Sequence, residues 1–310
     1  MSSTFPPRPS PRPWLLPALL KTMRPKQWIK NLIVFAGFVF TLNEQWRPFT
    51  PEMWSAFGRA AIAFGLFSLL SSAVYLINDV IDREKDRQHP TKRHRPIASG
   101  ALSPRVAVGV AIPLMAGVLI LGFSLSPPFA AVAAAYLVMQ FAYVFALKQI
   151  VLLDVFVLAI GFVMRAVSGA FVIGVEISPW LYTVTLLGAL FLGLCKRRNE
   201  LVLLEGSAAH HRPTLRTYTP ALLDSLTSIA ASSTVMAYSL YTFTSPKLPP
   251  GNLMMLTIPF VIFGMFRYLY LAHTQNAGGS PEEVFLRDKP LIVTILLWIA
   301  CTGLVLGIKR

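Results

Sequence analysis

Charged residues are scarce in this chain. Only 14% of its 310 residues are Asp, Glu, Lys or Arg, whereas 55% are hydrophobic and the mean hydropathy is +0.59. Ordinary soluble domains contain about 25% charged residues. The composition therefore excludes a soluble domain of ordinary make-up and indicates a membrane protein.

Cysteine is also nearly absent, and several nucleotide-binding and repeat signatures are missing altogether. Cys195 and Cys301 are the only cysteines, and they fall toward opposite ends of two predicted membrane segments, so they can neither pair nor share a metal ion. The chain has no GxxxxGK loop and no repeat of fixed period. These absences exclude a disulfide framework, cysteine redox chemistry, a P-loop and a solenoid.

Long apolar runs dominate the sequence, and several approach the ~20 residues that cross a bilayer as a helix. The pattern predicts an all-α, polytopic membrane protein with nine transmembrane helices, of which the first and sixth are short. The predicted segments are Ile29–Leu42, Trp54–Ile77, Ala101–Phe123, Pro128–Leu147, Val151–Ile173, Trp180–Leu194, Ala221–Phe243, Leu253–Ala272 and Leu291–Ile308.

Basic residues are distributed unequally between the two sides of this predicted bundle. With the N-terminus on the inner side, 21 Lys and Arg residues lie inside and five outside. Arg165 and Arg267 lie within predicted segments, and the sequence does not decide whether their roles are structural or in the site. The positive-inside rule therefore predicts a cytoplasmic N-terminus. Because the longer loops are also inside, we expect a cytoplasm-facing active-site cavity. The net charge of +14 suits lipid head groups and phosphorylated ligands, and without a soluble basic domain we expect no nucleic acid.

The chain divides into two parts on composition. Residues 1–22 form a Pro- and Arg-rich stretch followed by a short apolar run, which predicts a disordered tail and an interfacial segment. Residues 23–310 contain the nine segments and form the predicted catalytic domain.

Three aspartates follow the second segment, in the stretch NDVIDREKDRQHPTKRHRPIASG. On a helix Asp79, Asp82 and Asp86 are spaced i, i+3 and i+7, so they share one face and span about 10 Å. Mg²⁺ accepts a few carboxylates together with waters and substrate phosphates, and Asn78 can add a neutral oxygen. The alternative is a solvated helix end in which the acids pair with neighbouring bases, namely Arg83, Lys85 and Arg87.

Two groups of hydrogen-bond donors are candidates for phosphate binding, and their lysines and arginines would form charge-assisted hydrogen bonds. The first follows the aspartates and consists of Lys92, Arg93 and Arg95, for which membrane-surface anchoring is the alternative. The second lies in the motif RPKQWIKN and consists of Lys26, Lys30 and Asn31. For this group an interfacial anchor around Trp28 is equally compatible with the sequence.

Asp154 lies near the inner end of the fifth predicted segment, close to Lys148. An acid inside a membrane helix is costly and therefore counts as a functional candidate. We predict that Asp154 orients a hydroxyl group of the substrate, with pairing to a base as the alternative, and that Lys148 contacts phosphate.

Several stretches together resemble the UbiA superfamily of intramembrane transferases. They are RPKQWIKN, the NDxxDxxxD stretch from Asn78 to Gly100, LKQIVLLDV, KRRNEL and SPEEVFLRD. The resemblance implies a UbiA-type bundle of nine helices, a diphosphate bound through Mg²⁺ and a polyprenyl substrate. Within the superfamily, the chain is most similar to the bacterial branch of phosphoribosyltransferases that act on decaprenyl phosphate.

One departure from the broader superfamily concerns the loop after the sixth helix. Many prenyl-transferring members have a second aspartate-rich motif there, whereas this chain reads KRRNELVLLEG. Lys196 and Arg197 are positioned to bind phosphate oxygens directly. The resemblance thus implies phosphoribosyl pyrophosphate as donor, a polyprenyl phosphate as acceptor, pyrophosphate as leaving group and a product that supplies arabinose donors for the cell envelope, all at the cytoplasmic membrane of a bacterium.

Two other functions fit parts of the same sequence. A UbiA-type prenyltransferase would move a polyprenyl group from its diphosphate to an aromatic acceptor, against which the missing second acidic motif argues. A non-enzymatic lipid-phosphate carrier would use the same bases but would not need three aligned carboxylates. The sequence leaves a homo-oligomer open.

Overall fold

The computed structural model describes residues 15–176, 178–203, 213–274, 279 and 281–308. In this part of the chain the regular structure is helical, and the single β feature is an isolated bridge between Leu42 and Trp46. The predicted all-α class is confirmed. Residues 1–14 of the predicted tail lie outside the described residues.

The described residues contain α-helices linked by short connections and 3₁₀ turns. The helices are α1 (Leu15–Met23), α2 (Ala36–Phe40), α3 (Pro51–Ile81), α4 (Arg83–Gln88), α5 (Pro104–Leu125), α6 (Pro127–Phe145), α7 (Leu153–Ile173), α8 (Pro179–Leu203), α9 (Pro220–Thr244), α10 (Ile258–Thr274), α11 (Pro281–Arg287) and α12 (Lys289–Gly307). An N-terminal 3₁₀ segment, Pro25–Phe35, connects α1 to α2, and short 3₁₀ turns occur at Lys92–His94, Leu147–Gln149, Pro213–Arg216 and Leu253–Thr257.

The starts of four long helices follow directly from the sequence. Thr50, Ser103, Thr219 and Asp288 each precede a helix with proline in its first two positions, and each side chain accepts a hydrogen bond from a backbone N–H in the first turn. Such a residue satisfies an otherwise unpaired donor, and proline lacks the N–H that would have no partner there. Local chemistry therefore fixes where these helices begin.

Seven helices among the described residues are long and apolar enough to cross a membrane. They are α3, α5, α6, α7, α8, the unit Leu253–Thr274 and α12. The protein is therefore a multi-pass integral membrane protein. The remaining two predicted segments, Ile29–Leu42 and Ala221–Phe243, overlap the N-terminal 3₁₀ segment with α2, and α9.

Helices α3 and α7 form the interior of the bundle. Within their apolar windows 61% and 56% of residues are buried, against at most 33% for the other five spans. Helix α7 contacts α3, α6, α8 and the N-terminal 3₁₀ segment. These two helices also carry Asp79 and Asp154, so both candidate site residues project from the two most buried membrane helices.

Helix α1 packs on the bundle through one face. Ala18 and Met23 are buried against Ala73 and Leu76 of α3, whereas Leu16 is 66% exposed. The apolar run expected at the membrane surface is thus an amphipathic helix in contact with the bundle.

Candidate active site

The acidic end of α3 contains two carboxylates that share one guanidinium. Arg95 Nη1 donates to Asp86 Oδ2 at 2.7 Å and to Asp79 Oδ1 at 3.2 Å. Asp79 and Asp86 are 2% and 4% exposed, although α3 ends at Ile81 and Asp86 belongs to α4. The backbone hydrogen bonds from Asp82 N to Asn78 O and from Asp86 N to Asp82 O preserve helical spacing across the junction. The common face expected from the sequence is retained for this pair.

Arg24 is a second cation at the same carboxylate, and the sequence did not identify it as a site residue. Its Nη2 atom donates to Asp79 Oδ1 at 2.5 Å, and its guanidinium lies 4.8 Å from the ring centroid of Tyr75. Arg24 has φ 53° and ψ 60°, a left-handed conformation that is unfavourable for a residue with a Cβ. Strained residues of this kind concentrate at functional sites. The only sequence signal for Arg24 is its place at the start of RPKQWIKN.

Asp82 points to a different partner. Lys148 Nζ donates to Asp82 Oδ1 at 3.0 Å and to Oδ2 at 3.3 Å, and the two side chains are 18% and 21% exposed. Lys148 belongs to the 3₁₀ turn Leu147–Gln149 before α7. The pair therefore connects the end of α3 to the start of α7, and both side chains remain accessible to a ligand.

Asp154 is bound inside the bundle rather than by Lys148. Arg197 Nε lies 2.8 Å from Asp154 Oδ2, without the alignment of a hydrogen bond, and Tyr218 Oη donates to Asp154 Oδ1 at 2.8 Å. Arg197 Nη1 also donates to Glu200 at 2.5 Å. Of the two roles open to Asp154, the structure displays pairing with a base.

Tyr218 was not recognised from the sequence, yet it joins two parts of the site. Its hydroxyl donates to Asp154 and accepts a hydrogen bond from the Leu152 backbone N–H at 2.8 Å. Burial, together with the bond to Asp154, raises the pKa of Tyr218 to about 12. The phenol is therefore neutral near pH 7 and acts as a donor to the carboxylate. Leu152 has φ 68° and ψ −43°, a second strained backbone conformation beside the site.

The other predicted site residues occupy three different environments. Lys26 and Arg93 are exposed, and Arg93 Nε contacts the His94 ring at 3.3 Å. The half-buried candidates are Lys30, Asn78, Lys92 and Lys196. Asn31 is 1% exposed, and its amide group bonds Ser68 and Arg165 in the bundle interior. Trp28 donates to Ser72 at 3.0 Å, so its indole N–H faces the protein instead of a membrane interface.

The acidic pair fits a divalent cation. Within the described residues no three Asp, Glu, His or Cys side chains are grouped closely enough to hold a metal ion together. However, Asp79 and Asp86 already share one cationic nitrogen, so positive charge is accommodated between them. Mg²⁺ commonly takes one or two carboxylates and completes its shell with water and substrate phosphate.

An apolar cavity of about 260 Å³ lies toward the opposite end of α7. Its walls include Ala170 of α7, Tyr238 and Tyr241 of α9, and Trp298 of α12, and Glu44 and Lys247 also border it. Ala170 follows Asp154 by sixteen residues, about 24 Å along a helix. The protein therefore combines a charged site at one end with an apolar chamber toward the other.

The fold and the site define an all-helical membrane protein that concentrates buried carboxylates and bases at one end of its bundle. The chain belongs to the UbiA prenyltransferase family, whose family model matches residues 32–287.

Characterised relatives and solved structures agree with this assignment. Decaprenyl-phosphate phosphoribosyltransferase of Corynebacterium glutamicum is 36% identical over 93% of this chain and 86% of its own length. The enzyme of that name from Mycobacterium tuberculosis is also 36% identical, over 93% of this chain and 94% of its own. A UbiA homologue from Archaeoglobus fulgidus bound to GPP and Mg²⁺ superposes with a TM-score of 0.71 at 18% identity, covering 94% of this chain and 100% of that one. At such low identity the superposition shows the fold alone.

Proposed function

We propose that this protein transfers 5-phosphoribose from phosphoribosyl pyrophosphate to a polyprenyl phosphate and releases pyrophosphate. The observation that carries the proposal is the 34–36% identity to decaprenyl-phosphate phosphoribosyltransferases over 93–98% of this chain. The charged site supports it, because a donor with phosphate at both ends needs acidic groups for a metal ion and bases for a second phosphate. The product supplies arabinose donors for cell-envelope glycans.

The carboxylates at the end of α3 bind the donor's diphosphate end. Asp79, Asp82 and Asp86 would hold Mg²⁺, with Asn78 beside them; in this structure Asp82 is paired with Lys148. When bound, Mg²⁺ supplies Lewis-acid stabilisation of the leaving diphosphate. Arg24 and Arg95, which neutralise the carboxylates in this structure, then donate to phosphate oxygens. When phosphate oxygens replace the carboxylates as anionic partners, the guanidinium groups of Arg24 and Arg95 remain paired.

Other basic residues bind the sugar's 5-phosphate and fix the ribose. They are Lys196 and Arg197 of α8, Lys148 of the turn before α7, and Lys92 and Arg93 of the loop after α4. Lys26 and Lys30 are kept as phosphate-binding candidates from the N-terminal 3₁₀ segment. Asn31, which the sequence grouped with them, is buried with its amide group bound to Ser68 and Arg165, so it supports this segment from the bundle interior. Asp154 accepts a hydrogen bond from a ribose hydroxyl, with its position set by Arg197 and Tyr218.

The reaction requires one bond to form and one to break at carbon 1 of the ribose. An oxygen of the lipid phosphate attacks this carbon and forms the new C–O bond, while the bond to the diphosphate breaks and its electron pair leaves with pyrophosphate. A phosphate monoester is ionised near neutral pH, so the site needs no strong general base. The side chains contribute by positioning the reactants and by stabilising charge.

The lipid substrate and the membrane topology complete the proposal. All nine predicted segments cross the bilayer, the N-terminus is cytoplasmic, and the charged end of the bundle faces the cytoplasm at a bacterial inner membrane. Residues 23–310 form the catalytic domain behind the tail of residues 1–22. The polyprenyl tail extends along α7 toward the apolar cavity near Trp298, and a homo-oligomer is compatible with this arrangement.

A prenyltransferase is the second candidate because structures of this fold hold GPP with Mg²⁺. In the described part of α8, however, the inner end carries Lys196, Arg197 and Arg198, and its one acid, Glu200, is paired with Arg197. A second acidic metal site is therefore not formed by these residues. A lipid-phosphate carrier is the third candidate, and it predicts binding without turnover.

A donor competition assay separates the three functions. Purified protein receives Mg²⁺, polyprenyl phosphate and phosphoribosyl pyrophosphate labelled in the ribose, or a labelled prenyl diphosphate with an aromatic acid. The proposal predicts organic-extractable label only from the first mixture. Label transferred from the prenyl diphosphate to the aromatic acid would establish the second function, and lipid binding with no transfer from either donor would establish the third.

A further inference from the structure

Arg165 is a buried cation in the middle of the bundle. It lies in α7 at 7% exposure, and its guanidinium stands over the rings of Phe67, Tyr136 and Phe162 at 5.0–5.6 Å. Among the described residues no carboxylate forms an ion pair with it at 4.0 Å or less. A charge at such depth is expensive, which makes it a functional candidate.

Neutral groups from three elements bind this guanidinium. Arg165 Nε donates to Asn31 Oδ1 at 2.7 Å, Nη1 donates to the Gly161 carbonyl at 2.7 Å, and Nη2 donates to Tyr136 Oη at 2.8 Å. The absence of a side chain at Gly161 leaves room for the guanidinium, since a Cβ there would lie 3.2 Å from Arg165 Nη1. The planar fork of arginine suits three fixed acceptors, whereas lysine would act as a single point charge.

Asn31 extends the network from α7 to α3. Its Nδ2 atom donates to Ser68 Oγ at 2.9 Å. One helical turn further along α3, Ser72 Oγ accepts from Trp28 Nε1 at 3.0 Å and donates to the Met23 carbonyl at 2.9 Å. The N-terminal 3₁₀ segment is consequently attached to both α3 and α7 by side-chain hydrogen bonds.

The same segment begins immediately after Arg24. Close packing adds to the hydrogen bonds, because the backbone of Val34 lies directly against Gly169 of α7, where a Cβ would overlap it. A segment fixed at Val34, Asn31 and Trp28 leaves Arg24 little freedom. This constraint accounts for how a strained left-handed residue is maintained beside Asp79.

We infer that Arg165 is a positioning residue for the donor site: through Asn31 it sets the position of the N-terminal 3₁₀ segment and thereby places the Arg24 guanidinium at Asp79. Arg165 itself lies eleven residues beyond Asp154, about 16 Å along α7. It acts on the reaction only through this segment. The kinetic part of the inference rests on the proposed function, whereas the structural part does not.

The structural part is tested by a distance measurement without substrate. Spin labels are placed at Leu32→Cys and Ile112→Cys, which are 52% and 59% exposed, in a Cys195→Ala, Cys301→Ala background. We expect a narrow distance distribution with native Arg165 and a broader or shifted one in Arg165→Met. Arg59→Met is the matched control, because Arg59 also donates to backbone carbonyls, those of Val172 and Leu125, but outside this network.

The kinetic part is tested by varying the donor concentration. Loss of one charge-assisted contact corresponds to roughly a tenfold change, so Arg165→Met should raise the KM for phosphoribosyl pyrophosphate about tenfold and leave kcat within about twofold. Asn31→Ala should have the same effect, and the double variant no more than either, because both act through one network. Arg165→Lys should restore little of the lost donor affinity.

Ser68→Ala keeps the inference testable if Arg165→Met does not yield a monodisperse protein. It leaves Arg165 in place, removes an acceptor of Asn31, and should also shift the spin-label distance and raise the donor KM. Unchanged distances in Arg165→Met or Ser68→Ala, or an equal KM increase in Arg59→Met, would overturn the inference. Failure of native protein to transfer phosphoribose would instead refute the proposed function, and the distance measurement would still decide the role of Arg165.

Discussion

Asp154 of α7 and Arg197 of α8 form an ion pair whose side chains are 0% and 2% exposed, with Nε 2.8 Å from Oδ2. Neither charge reaches solvent; Arg197 also pairs with Glu200, and Asp154 also accepts a hydrogen bond from Tyr218. A buried pair of this kind is costly to break, because removal of one partner leaves the other charge uncompensated. It also holds together the two helices from which the proposed sugar-binding residues project.

Substitution of Arg197 should therefore strongly destabilise the fold. We expect Arg197→Met to lower the free energy of unfolding by about 3–5 kcal/mol, and Asp154→Asn in the same chain to restore part of it. Thermal unfolding can be followed with a thiol-reactive dye in a Cys301→Ala background, because Cys195 is buried in the folded protein whereas Cys301 is partly exposed. Arg198→Met is the control, since its partner Asp224 is 40% exposed and such pairs contribute about 0–1 kcal/mol. Equal stability of the two variants would contradict this role of the pair.

Arg24 should affect donor use although no sequence pattern identified it. Loss of a charged hydrogen-bond donor at a phosphate corresponds to about 1.5–3 kcal/mol. We thus expect Arg24→Met to lower kcat/KM for phosphoribosyl pyrophosphate between about tenfold and about 100-fold, measured from initial rates. Lys21→Met, an exposed basic residue of α1, provides the comparison. A similar decrease in both variants would indicate a general charge effect instead.

The acidic pair should determine the dependence on Mg²⁺. Asp79→Asn and Asp86→Asn remove carboxylates that share Arg95, and each should reduce transfer at least about 100-fold, a loss of about 2.7 kcal/mol of transition-state stabilisation. Chelation should abolish transfer in the native protein, and added Mg²⁺ should restore it. Glu84→Gln is the matched control, because Glu84 is a neighbouring acid with 70% exposure. If Glu84→Gln were as defective as Asp79→Asn, the assignment would fail.

Asp288 should make stability fall at acidic pH. Its carboxylate accepts hydrogen bonds from Arg267 at 2.8 and 3.2 Å and caps α12, and the arginine holds the pKa of Asp288 below its usual value. The folded state then releases this proton more readily than the unfolded state. The stabilisation is present above the ordinary pKa of about 3.9 and is lost as pH falls through the lower folded-state value.

Asp288→Asn should consequently flatten the acid side of the stability profile. Asparagine can still cap the helix but does not titrate. Unfolding temperatures measured from pH 6 down to about 3 should decline less steeply in the variant than in the native protein. Parallel curves would show that another carboxylate controls the acid response.

Much of the fold follows from local features of the sequence. Apolar runs located the membrane helices because bilayer crossing imposes length and hydrophobicity on a continuous stretch. Capping chemistry explains several helix starts in the structure, where Thr50, Ser103 and Thr219 are each followed by a proline. The i, i+3, i+7 spacing likewise placed Asp79 and Asp86 on one face, because helical geometry extends through the junction at Asp82, whereas the side chain of Asp82 turns to Lys148.

The hydrogen-bond partners of the site carboxylates could not be predicted from the sequence. Arg24 meets Asp79 across 55 positions, Lys148 meets Asp82 across 66, and Tyr218 meets Asp154 across 64. Such pairs depend on how helices are arranged in three dimensions, and no local period encodes that arrangement. Lys148 was assigned to the neighbourhood of Asp154 because six positions separate them, whereas its ammonium group turns to α3.

The most direct test of the proposed reaction follows two atoms of the donor separately. Phosphoribosyl pyrophosphate is labelled with ¹⁴C in the ribose and with ³²P in the β-phosphate, and is incubated with the protein, Mg²⁺ and a polyprenyl phosphate. Phosphoribosyl transfer predicts that the ¹⁴C enters the lipid fraction while the ³²P remains aqueous as pyrophosphate. Movement of both labels into lipid, or retention of both in unreacted donor, would contradict the account.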